Sequence, residues 1–193
     1  TEFTDQNPLK CMYVTSWGSS YDANTLVETA KILQDEVGQK VHIIATGDGE
    51  SRANSVLKAK QLTNITFTGF ISDQEKNNLL NESHVGLVLM KGGITQYWIG
   101  NKIAEYIASS FGIVNNVETE VAQLIKNNNI GINVPSENPR RVADSIIKYL
   151  DYPSTLQEHM NNSKELFGRS FNRKQNSIEY IEYLEQICDL KKN

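Results

Sequence analysis

The chain has 193 residues, 39% apolar and 22% charged, which suits one globular domain with a sizeable core. Its 19 Lys and Arg against 23 Asp and Glu leave a net charge of −4, which argues against nucleic-acid binding, where a basic face is the usual footprint. No apolar run approaches the roughly 18 residues of a membrane span, and Cys11 and Cys188 make neither a disulfide framework nor a zinc motif, so a reducing cytosol is the expected compartment.

Residues 1–9 are polar and read as a linker remnant; the chain begins at Thr1, so its original N-terminus is expected to be missing. Lys10–Ser16 reads as a strand, followed by a turn at Gly18–Ser20. Asp22 can cap the next helix, Ala23–Val37, in which Leu26, Ala30, Leu33 and Val37 recur at helical spacing and which Gly38 ends. Val41–Ala45 is apolar nearly throughout, as a strand buried on both faces should be, and runs into Gly47-Asp48-Gly49. A helix over Ser51–Gln61 and a strand over Ile65–Thr68 follow, the strand ending at Gly69-Phe70. Ser72 with Glu75 forms a capping box for the next helix. Val85–Leu89 is a strand leading to the loop at Gly92. The helix carrying Lys102 and Glu105, a strand at Ile113–Asn115, a helix at Glu118–Lys126 and a strand at Ile130–Val134 complete the alternation. Pro139 opens a helix with Val142, Ala143, Ile146, Ile147 and Leu150 on its apolar face. Leu156–Phe167 and Ser177–Leu190 are two closing helices expected to stand slightly apart, the last amphipathic through Ile178, Ile181, Leu184 and Cys188.

Short buried strands alternating with helices predict an α/β, Rossmann-like parallel sheet of about six strands with helices on both faces. Ligands of such sheets bind outside the carboxyl ends of the strands. The candidate loops are Gly18–Tyr21, Gly47–Arg52, Gly69–Ser72 and Gly92–Gly100, each glycine-bearing and each directly after a strand. Lys102 and Glu105 share a helix face beside the last of them. A cation and a carboxylate at a helix start suit a phosphate and a sugar hydroxyl; the alternative is an exposed pair on an ordinary amphipathic helix. Gly47-Asp48-Gly49-Glu50-Ser51-Arg52 is no dinucleotide fingerprint, because Arg52 stands where the third glycine belongs, and no P-loop motif occurs. Ser16, Ser19, Ser20 and Tyr21 make a hydrogen-bonding first loop without Lys or Arg. Trp17 and Trp98 are candidates either to stack on a base or sugar or to be buried. His42, His84 and His159 lack metal-ligand spacing and read as structural or exposed.

From about Met12 onward, the sequence resembles the C-terminal, nucleotide-sugar-binding half of a family 4 glycosyltransferase with the GT-B fold. GSSYDANTLVETA (Gly18–Ala30), IIATGDGESR (Ile43–Arg52), ITFTGFIS (Ile65–Ser72), SHVGLVLM (Ser83–Met90), GNKIAEYIASSFGIV (Gly100–Val114) and GINVPSENPRRVADSI (Gly131–Ile146) are similar to its motifs, in its order. The resemblance implies that residues 10–193 form a donor-binding domain, with an N-terminal acceptor domain lying outside this chain. It implies Glu105 at the ribose hydroxyls, Lys102 at the diphosphate, Phe70 and Ile71 at the base, and Gly18 and Ser19 beside the phosphates. Gly47 and Gly49 belong to the second loop, and Ile94 and Thr95 approach the sugar and β-phosphate. Tyr97 stands where the family has its first Glu. Gly100 replaces a Pro, Ser110 a Gly and Gly112 a Pro. The implied activity is retaining transfer of a hexosyl or N-acetylhexosaminyl group from a nucleotide diphosphate sugar, UDP-linked by expectation, in cell-surface polysaccharide synthesis. Lys102 and Glu105 would be its catalytic-site residues, and no metal or other cofactor is implied. A lipid-linked acceptor at the inner membrane surface and a cytoplasmic, peripheral location fit the same resemblance. Transfer by this domain alone is expected to be weak or absent. The competing expectation is a degenerate, non-catalytic interaction module.

Overall fold

The computed structural model describes residues 3–4, 6–93, 101–171 and 173–190. Six strands form one sheet: β1 (Leu9–Val14), β2 (Val41–Thr46), β3 (Ile65–Gly69), β4 (Val85–Val88), β5 (Gly112–Asn115) and β6 (Gly131–Asn133). The spatial order is β3-β2-β1-β4-β5-β6, and every pairing is parallel. Among the described residues eight α-helices accompany them: α1 (Ala23–Val37), α2 (Arg52–Lys58), α3 (Asp73–Asn81), α4 (Asn101–Ala108), α5 (Glu120–Asn128), α6 (Pro139–Asp151), α7 (Pro153–Leu166) and α8 (Arg173–Leu190). The chain first winds one way through β1, β2 and β3, then returns to β4 and winds the other way. Right-handed crossovers therefore place α1 and α2 on one face and α3 to α5 on the other. The α/β class, the parallel sheet and the six strands are those read from the sequence.

Helix starts follow local chemistry. Asp22 accepts from the Thr25 amide at 3.0 Å, Asn138 accepts from the Arg141 amide at 3.1 Å with Pro139 in the first turn, and the Ser72–Glu75 capping box is complete. Leu9, Cys11, Met12, Val41, Ile43, Ala45, Val85, Ile113 and Val114 are fully shielded, as strands covered on both faces require. The amino-terminal stretch contributes as well: β1 begins at Leu9, and Phe3 is buried edge-on against His84, with ring centroids 5.2 Å apart.

The two closing helices behave differently from one another. α7 does not stand apart. Its Leu156, His159, Ser163 and Leu166 are buried, and Ser163 Oγ donates to the Phe111 carbonyl at 2.7 Å. It begins at Pro153, where a missing amide proton costs nothing in a first helical turn. α8 follows a π-helical turn over Phe167–Phe171, and Ile178, Tyr180, Ile181, Tyr183 and Leu184 remain exposed on it. These apolar residues spread around the helix rather than along one stripe, and the amphipathic face expected through Ile178, Ile181, Leu184 and Cys188 is exposed.

Candidate functional site

The winding reverses between β1 and β4, so a crevice opens at the carboxyl ends of these two strands. They pair through Cys11 and Val85 and through Met12 and Gly86. Just beyond, Tyr106 of α4 inserts its fully buried ring. Its hydroxyl accepts from the Val14 amide at 2.9 Å and lies 3.2 Å from the Met12 carbonyl, to which it can donate. Gly86 makes room for that ring, since a Cβ there would lie 2.4 Å from it. Tyr106 thus ties the helix that carries Lys102 and Glu105 to the carboxyl end of β1.

The loops around the crevice are tied to one another. The first loop joins the segment after β4 through Asp22 N to Leu89 O at 3.2 Å, Lys91 N to Ser20 O at 3.0 Å, and a bridge between Tyr21 and Met90. Asn116, fully buried after β5, clamps the Met90 backbone with both ends of its amide, at 2.7 and 2.8 Å. Gly47 has φ +97°, and a Cβ on it would lie 1.7 Å from the Thr15 carbonyl oxygen; one on Gly49 would lie 2.1 Å from that of Ser16. These glycines let the second loop press against the first, so their close approach is to protein backbone. Gly18 and Ser19 are partly and fully open on the first loop, and Trp17 is buried between Tyr13 and Phe67 rather than available for stacking.

Beside the crevice lies a cavity of about 330 Å³. Val14, Thr15 and Ser16 form one wall, Thr46, Gly47 and Asp48 the next, and Phe70, Ile71, Asp73 and Lys76 the third. Phe70 is 85% exposed, an aromatic ring at the rim that none of the described residues covers. Lys102 and Glu105 do not pair with each other. The Glu105 carboxylate takes Lys76 of α3 at 2.7 Å, and both side chains are partly buried. Lys102 instead donates to the Tyr21 hydroxyl and sits 3.7 Å from the centre of that ring. Burial lowers the Lys102 ammonium from its ordinary value of 10.5 to about 7, against the opposing pull of the Glu105 charge. The exposed ion pair expected of an ordinary surface helix is therefore absent: both side chains point into the strand-end region, each with a partner from another element. Ile94 and Thr95, with Tyr97, Trp98 and Gly100, lie outside the described residues. Ser110 has φ +58°, the left-handed conformation that a glycine adopts without strain. Gly112 lies in β5, where a Cβ would come 2.7 Å from Leu156.

Lys76, Tyr106 and Asn116 were missed by sequence reasoning, and Tyr21, read there as part of the hydrogen-bonding first loop, was not foreseen as the partner of Lys102. A cation one residue past a capping box at a strand-end loop was the available signal for Lys76. Nothing local marked Tyr106 or Asn116.

No curated protein sequence matches this chain. Solved structures share its fold at low identity. A glycosyltransferase from Rickettsia africae aligns with a TM-score of 0.77 and 18% identity over 94% of this chain and 48% of its own. HepE from Anabaena, solved with UDP and glucose, aligns with a TM-score of 0.77 and 14% identity over 94% and 49% of the two chains. The C-terminal domain of the group 1 glycosyl transferase LpcC from Francisella tularensis gives 0.68 and 15%, over 85% and 86%. The chain spans only part of several longer structures, including 36% of TarM from S. aureus. Residues 10–152 match the sequence model of the glycosyl transferases group 1 family, and the chain belongs to that family.

Proposed function

We propose that this chain is the donor-binding domain of a retaining glycosyltransferase that uses a UDP-linked sugar. The observation that carries this reading is that three groups of different chemistry stand at the strand ends: Phe70 and Ile71 line the cavity, Lys76 of its wall joins it to Glu105, and Lys102, three residues earlier on α4, lines a separate small pocket with Tyr21 and Met90. Phe70 and the Ile71 backbone offer an uncovered surface for a base. Glu105 offers a carboxylate for ribose hydroxyls. Lys102 offers a cation for the diphosphate, at the start of a helix whose dipole has the same sign. UDP in the structurally similar HepE supports the choice of base.

Loss of the diphosphate leaves oxocarbenium-like charge on the sugar and negative charge on the departing phosphate. Lys102, loop amides and the α4 dipole would stabilise that departing charge, each donor contributing on the order of 3 kcal/mol to barrier reduction. Positive charge on the diphosphate would come from Lys102 without a metal. The acceptor would bind a further domain, and a glycan or lipid-linked acceptor in polysaccharide synthesis follows the sequence resemblance.

Calorimetric titration with UDP, GDP and ADP tests the reading. UDP is expected to bind, and Glu105→Ala to weaken it by about 1.5–3 kcal/mol, the worth of a hydrogen bond to a charged group. If a folded sample takes up none of the three nucleotides, the non-catalytic module becomes the better reading; its support is the absence of Lys and Arg from the first loop.

A further inference from the structure

We propose that Lys76 is a positioning residue, which holds the Glu105 carboxylate at the distance from the Phe70–Ile71 loop that a ribose joined to its base requires. This inference rests on the donor-binding reading and adds to it a residue that acts through Glu105.

The geometry has three parts. Phe70 and Ile71 lead directly into α3, and the Ser72–Glu75 capping box fixes the angle at which they enter it. Ser72 Oγ and its amide both donate to the Glu75 carboxylate, at 2.6 and 2.8 Å. Lys76 lies one turn into this helix, so its stem is held by the same anchored turn that presents the base loop. Its ammonium then reaches α4, where it meets Glu105 Oε1 at 2.7 Å, while Asp73 Oδ1 lies farther away at 3.7 Å. The Glu105 charge raises Lys76 above the ordinary lysine value despite partial burial. One carboxylate oxygen of Glu105, Oε1, is thus held by Lys76, and the side chain keeps 27% of its surface exposed.

α3 arrives from β3 and α4 departs from β4, with β2 and β1 lying between these strands in the sheet. The two helices therefore carry the base loop and the ribose carboxylate on elements that follow strands three positions apart in the sheet. A base and its ribose are joined by a single bond, so the groups reading them cannot drift independently. The Lys76–Glu105 pair links the two. The pair is only partly buried, so solvent still screens it and its share in folding stability is small, which leaves positioning as its main consequence.

The experiment is calorimetric titration of UDP and of 2′,3′-dideoxy-UDP into the wild-type chain, Lys76→Met, Lys76→Arg, Glu105→Gln and the Lys76→Met/Glu105→Gln double variant. Lys76→Met should weaken UDP about tenfold, in the range of one charge-assisted contact, and should melt within about 3 °C of wild type. Lys76→Arg should recover most of that loss. Dideoxy-UDP should bind wild type and Lys76→Met alike, and Lys76→Met should add nothing in the Glu105→Gln background. Unchanged UDP binding by Lys76→Met overturns the proposal. So does an equal loss for dideoxy-UDP, which would mean that Lys76 touches base or phosphate directly. If wild type binds no UDP, the donor-binding reading itself falls and this inference falls with it; binding by wild type with no Lys76 effect removes the inference alone.

Discussion

The β5–α7 end of the molecule and the first strand-end loops treat buried polar groups in opposite ways. At the β5–α7 end, the Tyr149 hydroxyl pairs with His159 Nδ1 at 2.8 Å, Ser163 Oγ donates to the Phe111 carbonyl at 2.7 Å, and the Asn115 amide donates to the Val117 carbonyl at 2.8 Å. Around the strand-end loops, Trp17 Nε1, Asp22 Oδ2 and Arg52 Nε are buried with no partner among the described residues, as is Asn64 Oδ1 at the opposite, amino end of β3, and the Lys102 ammonium leans on a tyrosine. An unpaired buried polar atom costs on the order of 1–3 kcal/mol, so such atoms are usually eliminated. Three of these four lie beside the crevice, where demands other than stability are expected to shape a fold.

The contrast can be broken or sharpened by substitution. Leu156→Ala at the well-packed end should cost about 3 kcal/mol of stability, as buried Leu truncations do, while leaving UDP affinity within about twofold; chemical denaturation and titration together check this. A large loss of affinity would join the two regions that we separate. Lys102→Met should do the reverse. Losing a charged phosphate contact should weaken UDP by about 2 kcal/mol, while removing a poorly solvated charge should stabilise the fold by on the order of 1 kcal/mol at neutral pH.

The pH dependence follows from the same lysine. Lys102 falls from 10.5 to about 7 on folding, so the unfolded chain binds more protons than the folded one between those values. Its contribution to stability should therefore rise with pH across that window and be absent in Lys102→Met. Diphosphate binding must return the proton, so UDP affinity should fall as pH rises above about 7, by at most about tenfold per unit. Lys102→Arg, which stays charged, should flatten that profile. The smallest effect expected is that of Tyr21→Phe. Losing the hydroxyl that accepts from Lys102 should change stability and UDP affinity by about 1 kcal/mol or less, since the ring face remains.

The sequence by itself determined the architecture. α1 spans Ala23–Val37 as its periodicity and the Asp22 cap predict, and the Ser72 and Asn138–Pro139 starts are where local chemistry puts them. These features depend on contacts within one helical turn, and strand burial is visible in composition alone. The sequence also nominated the strand-end loops, with Lys102 and Glu105, as the candidate site. It did not determine their partners. Glu105 meets Lys76, 29 positions away, and Lys102 meets Tyr21, 81 positions away. Helical spacing says only that Lys102 and Glu105 share a face. Which cation reaches the carboxylate depends on how α3 and α4 lie across the sheet, and that is set by the side chains packed beneath them. Gly47 and Gly49 were likewise legible as a glycine-bearing loop after a strand, but only the fold set them against the backbone of the first loop. α7 and α8 were both expected to stand slightly apart, yet α7 buries Leu156 and Leu166 while the apolar residues of α8 form no single stripe and remain exposed.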